Sequence, residues 1–110
     1  MKKLIKGDVV VVPFPFSDLK STARRPALVI SQLKGDDLIL CQITTQSRED
    51  MSCVTLEEKD FKKGKLKINS FIRPSKIFTL DNSIVLYRIG KISEDKMREV
   101  IKKIQEIINH

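Results

Sequence analysis

The sequence predicts a small α+β protein that is mainly β, with a strongly bent, barrel-like sheet of five to seven antiparallel strands and a C-terminal amphipathic helix. Three observations predict this fold class. Short apolar runs alternate with turn signals at close spacing, the last stretch has helical periodicity, and the length suits a single domain over residues 1–110. No internal repeat or linker divides the sequence.

The first half of the chain contains three predicted strands. Asp8–Val12 is a β-branched run typical of a strand buried on both faces, and the two prolines that follow are expected to end it. The polar segment Phe14–Arg24 is then predicted to be a long loop. Pro26–Leu33 and Leu38–Thr44 are predicted to form an antiparallel hairpin around the turn Lys34–Asp37.

The second half contains shorter apolar runs separated by charged segments. Cys53–Leu56, Asn69–Arg73 and Ser83–Ile92 are predicted strands, because each is rich in residues that favour a sheet. Thr45–Asp50 is predicted to be a polar loop, and Glu57–Lys67 a charged loop or a single helical turn. These runs complete the predicted sheet.

The C-terminal segment has the clearest signal for secondary structure. Ser93 is a favourable N-cap, and Glu94 and Asp95 complement the positive end of the helix dipole. Apolar residues recur at helical spacing on one face, and charged residues occupy the other. The predicted apolar stripe consists of Met97, Val100, Ile101, Ile104, Ile107 and Ile108. We expect this stripe to lie on the barrel or on a partner.

The composition bounds the classes of function. A formal net charge of +7 favours a polyanionic partner such as nucleic acid, although solubility alone also accounts for a basic surface. No apolar run is long enough for a membrane span, and the charged start of the chain does not resemble a signal peptide. Cys41 and Cys53 are expected to be buried, reduced thiols of a cytoplasmic protein, with a disulfide or a reactive thiol as the alternative.

Several kinds of catalytic and metal site are disfavoured by the residues present. The one histidine is His110, the last residue, which argues strongly against a histidine-pair nuclease or a Ser-His-Asp hydrolase. Acidic pairs fall in predicted turns or at strand ends, where solvation accounts for them, so neither a metal nor a cofactor is expected. These pairs are Asp36–Asp37, Glu49–Asp50 and Glu57–Glu58.

Polar residues at one end of the predicted hairpin are the remaining candidates for chemistry. Arg25 precedes the second strand and Thr44 ends the third, and antiparallel pairing places both at the same end of the hairpin. A guanidinium and a hydroxyl that converge beside a loop can hold a phosphodiester. A second interpretation stays open, in which Arg25 is a solvated residue at the strand start and Thr44 a β-branched strand residue.

Five segments, taken in order, resemble the MazF/PemK toxin family. They are KGDVV at 6–10, FPFSD at 14–18, RPALVIS at 25–31, ITTQ at 43–46 and IRPSKIFTLD at 72–81. With the C-terminal amphipathic helix, the resemblance covers nearly the whole chain. It implies an SH3-like barrel, a homodimer, and a metal-independent, sequence-selective endoribonuclease that is restrained by a cognate acidic antitoxin.

The resemblance also implies roles for single residues. Arg25 and Thr44 match the pair usually assigned to catalysis, and Arg73 matches an arginine given a catalytic role in some members. Ser75 departs from the family pattern, because many members carry at this position an acidic residue that has been proposed as a general base. The sequence offers no obvious general base in its place.

Single-stranded RNA is the expected substrate, held by cationic and polar side chains on its backbone and by aromatic rings on its bases. The predicted polar contacts are Lys20, Arg24, Thr45, Gln46, Arg48, Ser75 and Lys76. Phe14 and Phe16 are predicted to stack on bases, with packing on the core or across a dimer as the alternative. The lysine run at 62–67 is expected to be a solvated loop, or else a contact for RNA or antitoxin.

Two other functions fit the same fold. A gyrase poison of the CcdB type would use a C-terminal tip containing tryptophan, and this chain has no tryptophan. A non-catalytic barrel that binds nucleic acid or protein is the second alternative, and Ser75 would suit a site that has lost its activity.

Overall fold

Residues 3–15, 22–46 and 52–110 are described by the computed structural model, and they form seven strands, one α-helix and two short 3-10 turns. The strands are β1 (Asp8–Pro15), β2 (Thr22–Gln32), β3 (Asp37–Thr44), β4 (Val54–Leu56), β5 (Phe61–Gly64), β6 (Ser70–Asp81) and β7 (Tyr87–Ile92). The helix α1 spans Glu94–Ile108, and the 3-10 turns span Glu58–Asp60 and Asn82–Ile84.

These strands join one antiparallel sheet in the order β4-β6-β3-β2-β1-β7-β5. The sheet curls into a half-barrel, and α1 follows directly after β7. The architecture confirms the predicted fold class, a mainly β protein with one C-terminal helix.

The β2–β3 hairpin occupies the centre of the sheet and fixes the register of the two strands. Ala27 lies opposite Gln42, and Leu28 lies opposite Cys41. Gly35 in the connecting turn has a φ of +93°, a conformation that glycine adopts without steric cost. The predicted hairpin is therefore confirmed.

The first two strands are longer than the sequence predicts. β1 continues through Pro13 and Pro15, and β2 begins at Thr22, so the described parts of the predicted loop before Arg25 are strand. The pairing of β1 with β7 stops at Val11, and beyond this residue β2 is the one strand paired with β1 among the described residues. Proline is tolerated at such a position, because no described strand on the other side needs its missing N–H group.

The second half of the chain also differs from the prediction in its boundaries. β6 has 12 residues, where only Asn69–Arg73 was expected, and Pro74–Lys76 lie at a register shift between two stretches paired with β3. The expected last strand Ser83–Ile92 shortens to β7, because its first residues belong to a 3-10 turn. The charged segment Glu57–Lys67 contains both a 3-10 turn and β5.

Two apolar cores cover the two faces of the sheet. We call the side packed against α1 the helix face; its core is built from Val9, Leu28, Ile30, Cys41, Ile43, Val54, Leu56, Ile72, Ile92, Met97, Val100 and Ile104. We call the opposite side the site face; its core is built from Leu4, Val10, Val12, Ala27, Val29, Leu38, Leu40 and Val85. Alternate residues of the central strands therefore belong to opposite faces.

Helix α1 begins as predicted but packs only part of its apolar stripe. The Ser93 hydroxyl accepts a hydrogen bond from the Lys96 backbone N–H at 3.2 Å, which caps the first turn. Met97, Val100 and Ile104 are buried against the sheet, and Ile101 is half-buried. Ile107 and Ile108 are exposed. The stripe thus lies on the sheet through its first four residues, and a contact of the last two with a partner stays a prediction.

The two cysteines are both free thiols. Cys41 is fully buried in β3, and this burial raises the pKa of its thiol to about 12. Cys53 lies just before β4 and is half-buried, so the expectation of full burial holds for Cys41 only. Over the described parts of the chain, no helix is long and apolar enough to span a membrane.

Candidate functional site

Arg25 lies within β2, with β1 on one side and β3 on the other. It is paired with Val12 of β1. Continuing the β2–β3 register by two residues from the Ala27–Gln42 pair places Arg25 beside Thr44. Arg25 shares the site face with Ala27 because side chains two residues apart lie on the same side of a strand. The predicted juxtaposition of Arg25 and Thr44 is thus supported by the pairing of the strands.

Thr44 is the last residue of β3 and is half-buried on the site face. Its hydroxyl oxygen accepts a hydrogen bond from the Gln46 backbone N–H at 3.2 Å. A threonine hydroxyl that accepts in this way can still donate its own hydrogen. The contact therefore holds the oxygen in place and leaves the hydroxyl able to donate to an incoming anion.

Arg73 reaches the same end of the site face from β6. It lies opposite Gln42, and Thr44 lies opposite Phe71 two residues along. The Arg73 Nη1 atom donates a hydrogen bond to Oε1 of Gln42 at 3.2 Å, between two half-buried side chains. The fold thus brings together all three residues predicted to be catalytic, on three neighbouring strands.

Gln42 is a site residue that the sequence analysis missed. It lies two residues before Thr44 on the same strand, and residues at this spacing share one face of a sheet. The spacing from Thr44 could have indicated that Gln42 lies on the same face. It could not have indicated that Gln42 contacts Arg73, because Arg73 is 31 residues away in the sequence and meets Gln42 only through the β3–β6 pairing.

The arrangement is chemically suited to holding a phosphate diester. Neighbouring strands are about 4.8 Å apart, so side chains from three adjacent strands can reach one small anion. Arg25 is exposed, whereas Thr44 and Arg73 are half-buried, so the site opens to solvent on the Arg25 side. Two guanidinium groups and one hydroxyl provide several hydrogen-bond donors for the oxygens of a phosphate.

An aromatic contact lies on the same face of the sheet. The rings of Phe14 and Phe78 have centroids 5.3 Å apart at an interplanar angle of 43°. Both rings are half-buried, and Phe78 packs against the site-face core. Phe14 therefore belongs to β1 rather than to a loop, and it packs on another ring; its predicted contact with RNA bases stays a prediction.

Ser75 and Lys76 lie at the irregular part of β6, between the two stretches that pair with β3. Both side chains are exposed, directly after Arg73 and Pro74. Their exposure is compatible with the predicted contact with RNA. No carboxylate stands at either position.

Arg24 and Thr45 lie on the other side of the sheet from Arg25 and Thr44. Arg24 adjoins Arg25 within β2, and successive residues of a strand point to opposite faces. Thr45 follows the end of β3 and lines a groove on the helix face together with Arg24 and Tyr87. Arg24 still lies at the Arg25–Thr44 end of the hairpin, and its predicted contact with RNA stays a prediction. β2 runs through both arginines, so they lie on opposite faces of the sheet and not side by side before the strand.

The remaining predicted contacts divide into two groups. Phe16, Lys20 and Arg48 lie outside the described residues, and their predicted roles are untested. Gln46 is exposed, and its backbone N–H contacts the Thr44 hydroxyl.

Over the described ranges 3–15, 22–46 and 52–110, no three His, Cys, Asp or Glu side chains gather as metal ligands would.

Comparison with known proteins assigns the family. A model of PemK-like, MazF-like toxins of type II toxin–antitoxin systems matches residues 5–108. MazF from Deinococcus radiodurans has a similar fold, with a TM-score of 0.78 and 21% identity over 100% of each chain. An endoribonuclease from a mycobacterial species, solved in complex with its cognate antitoxin, has a TM-score of 0.78 and 14% identity over 97% of this chain and 96% of that chain. The toxin MazF-mt6 of Mycobacterium tuberculosis has a TM-score of 0.68 and 13% identity over 91% of this chain and 96% of that chain.

No curated protein is similar enough in sequence to count as a match. At identities this low, the solved structures show that the chain shares their fold. The family match shows more than a shared fold, because it spans nearly the whole chain. It confirms the resemblance carried by the five sequence segments. The chain belongs to the family of PemK-like, MazF-like toxins of type II toxin–antitoxin systems.

Proposed function

We propose that this protein is a sequence-selective, metal-independent endoribonuclease that cleaves single-stranded RNA. The observation that carries the proposal is the register of the central sheet, which brings Arg25 of β2 beside Thr44 of β3 with Arg73 of β6 on the same face. The family match and the likeness in fold to solved endoribonucleases support the same activity.

In the proposed reaction, a ribose 2′-oxygen attacks the neighbouring phosphorus while the bond from phosphorus to the 5′-oxygen breaks. The 2′-hydroxyl loses a proton and the departing 5′-oxygen gains one, which gives a 2′,3′-cyclic phosphate and a 5′-hydroxyl. Because the nucleophile belongs to the substrate, the protein has to align the reacting groups and stabilise the charge on the phosphorane.

Each of the three residues has a separate task in this reaction. Arg25 binds the non-bridging phosphate oxygens through its planar donor pair and can donate toward the departing oxygen. Thr44 donates its hydroxyl hydrogen to the same oxygens or orients the 2′-hydroxyl. Arg73, held by Gln42 at 3.2 Å, adds positive charge from the third strand. We assign the general base to no side chain of the protein.

We further propose that the toxin acts as a homodimer and is neutralised by an acidic antitoxin segment that covers the Arg25–Thr44 end. A net charge of +7 attracts a negatively charged, partly disordered chain to the surface that also attracts RNA. A mycobacterial endoribonuclease of similar fold was solved in complex with its cognate antitoxin. An RNA cleavage rate unchanged by the purified antitoxin would contradict occlusion of the site.

The activity is tested by incubating the native protein with a long single-stranded RNA in excess EDTA. We expect discrete cuts, with 5′-hydroxyl ends that polynucleotide kinase labels directly and 3′ ends that become ligatable only after the cyclic phosphate is removed. A matched RNA with a 2′-deoxyribose at a mapped cut is the control and should resist cleavage there. Absence of cutting would contradict the nuclease assignment, and loss of cutting in EDTA alone would contradict the metal-free mechanism.

A further inference from the structure

We propose that a groove on the helix face binds the nucleotides that flank the cleaved bond, so that one RNA strand contacts both faces of the sheet. The groove has a volume of about 410 Å³. Its lining includes Arg24, Thr45, Lys65, Lys67, Ile68 and Tyr87, and we call it the flanking groove. This inference rests on the proposed function, since it assigns a second binding surface to the same RNA.

The flanking groove lies at the same end of the β2–β3 hairpin as the proposed catalytic residues. Arg24 immediately precedes Arg25, and Thr45 immediately follows Thr44. Because successive strand residues point to opposite faces, the two sites are separated by the thickness of one sheet. An extended strand that passes over this end of the hairpin therefore meets both surfaces.

The charge of the flanking groove suits a polyanion. Arg24, Lys65 and Lys67 contribute three cations, and none of the described residues that line the groove is acidic. Glu58, outside the lining, is 3.8 Å from Lys65, but the two side chains are 73% and 64% exposed. Water screens an ion pair of this exposure, so it leaves the lysine able to bind a phosphate.

The apolar part of the flanking groove suits bases rather than phosphates. Tyr87 is 48% exposed and Ile68 is 64% exposed, while Leu66 and Ile89 form a floor that packs on the helix-face core. Proteins that bind single-stranded nucleic acid commonly combine a cationic groove, which binds the backbone, with exposed aromatic rings, on which the bases stack. Tyr87 thus provides the stacking surface, and the three cations follow the backbone.

Other occupants of the flanking groove fit these observations less well. A second copy of a chain with a net charge of +7 would bring further positive charge to three exposed cations. An acidic peptide matches the charge and the apolar floor, and an acidic segment is also proposed to cover the Arg25–Thr44 end. RNA fits the groove better, because every nucleotide brings both a phosphate for the three cations and a base for the exposed ring. A groove that binds an acidic peptide or a second copy in place of RNA would therefore contradict the proposal.

The test compares cleavage of a long and a minimal RNA around one mapped cut site. The minimal RNA has only the sequence that the enzyme selects around the cut, and the long RNA extends several nucleotides beyond this sequence on each side. Tyr87→Leu and Lys67→Gln should each raise KM for the long RNA by about 5- to 10-fold. We expect kcat for the long RNA, and both constants for the minimal RNA, to stay unchanged. Tyr87→Phe, which keeps the ring, should restore the native KM.

Lys34→Gln is the matched control, since it removes an exposed lysine at the opposite end of the hairpin. Circular dichroism and light scattering should show that each variant keeps the native fold and assembly. The proposal would be overturned by a native KM in both groove variants or by an equal rise in KM for both RNAs. A change in oligomeric mass would also overturn it. Retained RNA binding with loss only of antitoxin binding would also overturn it, in favour of a peptide.

A binding measurement separates this inference from the proposed nuclease activity. Fluorescence anisotropy with a long 2′-O-methyl RNA needs no cleavage, and Tyr87→Leu should weaken this binding by the same 5- to 10-fold, about the effect of losing one stacked base. If the native protein binds this RNA through Tyr87 but cleaves none, the nuclease assignment fails and the groove stands. If Tyr87→Leu binds as the native protein does, the groove assignment fails.

Discussion

At the scale of single residues, the contact between Gln42 and Arg73 decides how the second cation of the site is held. The Gln42 Oε1 atom accepts from the Arg73 Nη1 atom at 3.2 Å, and both side chains are half-buried. An arginine has several rotatable bonds, and a fixed acceptor limits the positions that its guanidinium can adopt. Gln42 is therefore expected to position Arg73 without contacting the substrate itself.

Gln42→Leu should lower kcat for RNA cleavage by about 10-fold, the loss expected when one hydrogen bond to a charged group is removed. If Gln42 acts only through Arg73, as we expect, KM should change little. Gln42→Glu keeps an acceptor for Arg73 and should preserve most of the activity. Gln32→Leu, an exposed glutamine on the far end of β2, is the control. An unchanged kcat in Gln42→Leu would show that Arg73 needs no such support.

The two cysteines should differ in reactivity, because the thiolate is the reactive form. Burial raises the pKa of the Cys41 thiol to about 12, so this thiol stays protonated from neutral pH to well above pH 9. In the folded protein at pH 8, iodoacetamide should modify half-buried Cys53 first and leave Cys41 intact until the protein unfolds. Peptide mass mapping after timed alkylation measures the order, and faster modification of Cys41 would contradict its burial.

At the scale of elements, the close approach of β5 and β7 determines the position of the lysine run beside the flanking groove. Gly64 pairs with Gly90, and a Cβ atom on Gly90 would lie 2.2 Å from the backbone oxygen of Lys63. A Cβ atom on Gly64 would lie equally close, 2.2 Å from the oxygen of Ile89. Only glycine at both positions allows this pairing, and the pairing places Lys65 and Lys67 against β7.

Gly90→Ala should therefore destabilise the fold by about 1–3 kcal/mol, since the backbone must shift to accept the methyl group. Gly35→Ala is the matched control, because nothing lies within 4 Å of a Cβ there and only its φ of +93° opposes the change. The control should cost less, about 1 kcal/mol. Urea unfolding of both variants gives the two values. Equal stability of Gly90→Ala and the native protein would mean that β5 does not approach β7 in this way.

The elements also show where the sequence was informative and where it was not. Helix α1 was predictable because its signals are local: the Ser93 cap and an apolar spacing that needs no knowledge of the rest of the chain. β5 was not, because Phe61–Gly64 is short and charged and becomes a strand only by pairing with β7. The prolines of β1 led to a strand predicted too short for the same reason. Whether a strand tolerates proline depends on which of its sides is paired.

The candidate site, too, could be predicted from local sequence signals but not from contacts between distant strands. Arg25 and Thr44 could be placed together from the hairpin alone, because antiparallel pairing of neighbouring segments brings the ends together. The face that each side chain occupies could not be predicted, since it depends on where β2 begins, and this separated Arg24 from Arg25. The contact of Gln42 with Arg73 needed the β3–β6 register, which no local pattern contains.

At the scale of the whole molecule, a small chain exposes apolar side chains that a partner would cover. Ile108 is 70% exposed at the end of α1, and Ile77 is 43% exposed beside the irregular part of β6. A domain of this size buries a smaller fraction of its surface than a large one and gains more from association. The positive charge is a second property of the whole surface, and it favours a polyanionic partner.

The free toxin should therefore be a dimer in solution. Burial of exposed apolar side chains in a symmetric interface is the expected source of stability. Light scattering coupled to gel filtration should give twice the mass of the chain over a wide range of concentrations. A mass equal to one chain at every concentration would contradict the homodimer and leave each site to act alone.

Arg25 and Thr44 are proposed to perform the chemistry on one face of the sheet. Single-turnover cleavage of a fluorescent single-stranded RNA in excess EDTA measures their contribution. Arg25→Ala and Thr44→Ala should each slow cleavage by about 100- to 1,000-fold with the fold intact, and Arg25→Lys should fail largely because an ammonium lacks the planar donor pair. Arg98→Ala on α1 and Thr79→Ala on β6, both exposed, should cleave at the native rate. Near-native rates for both Arg25→Ala and Thr44→Ala would contradict the site.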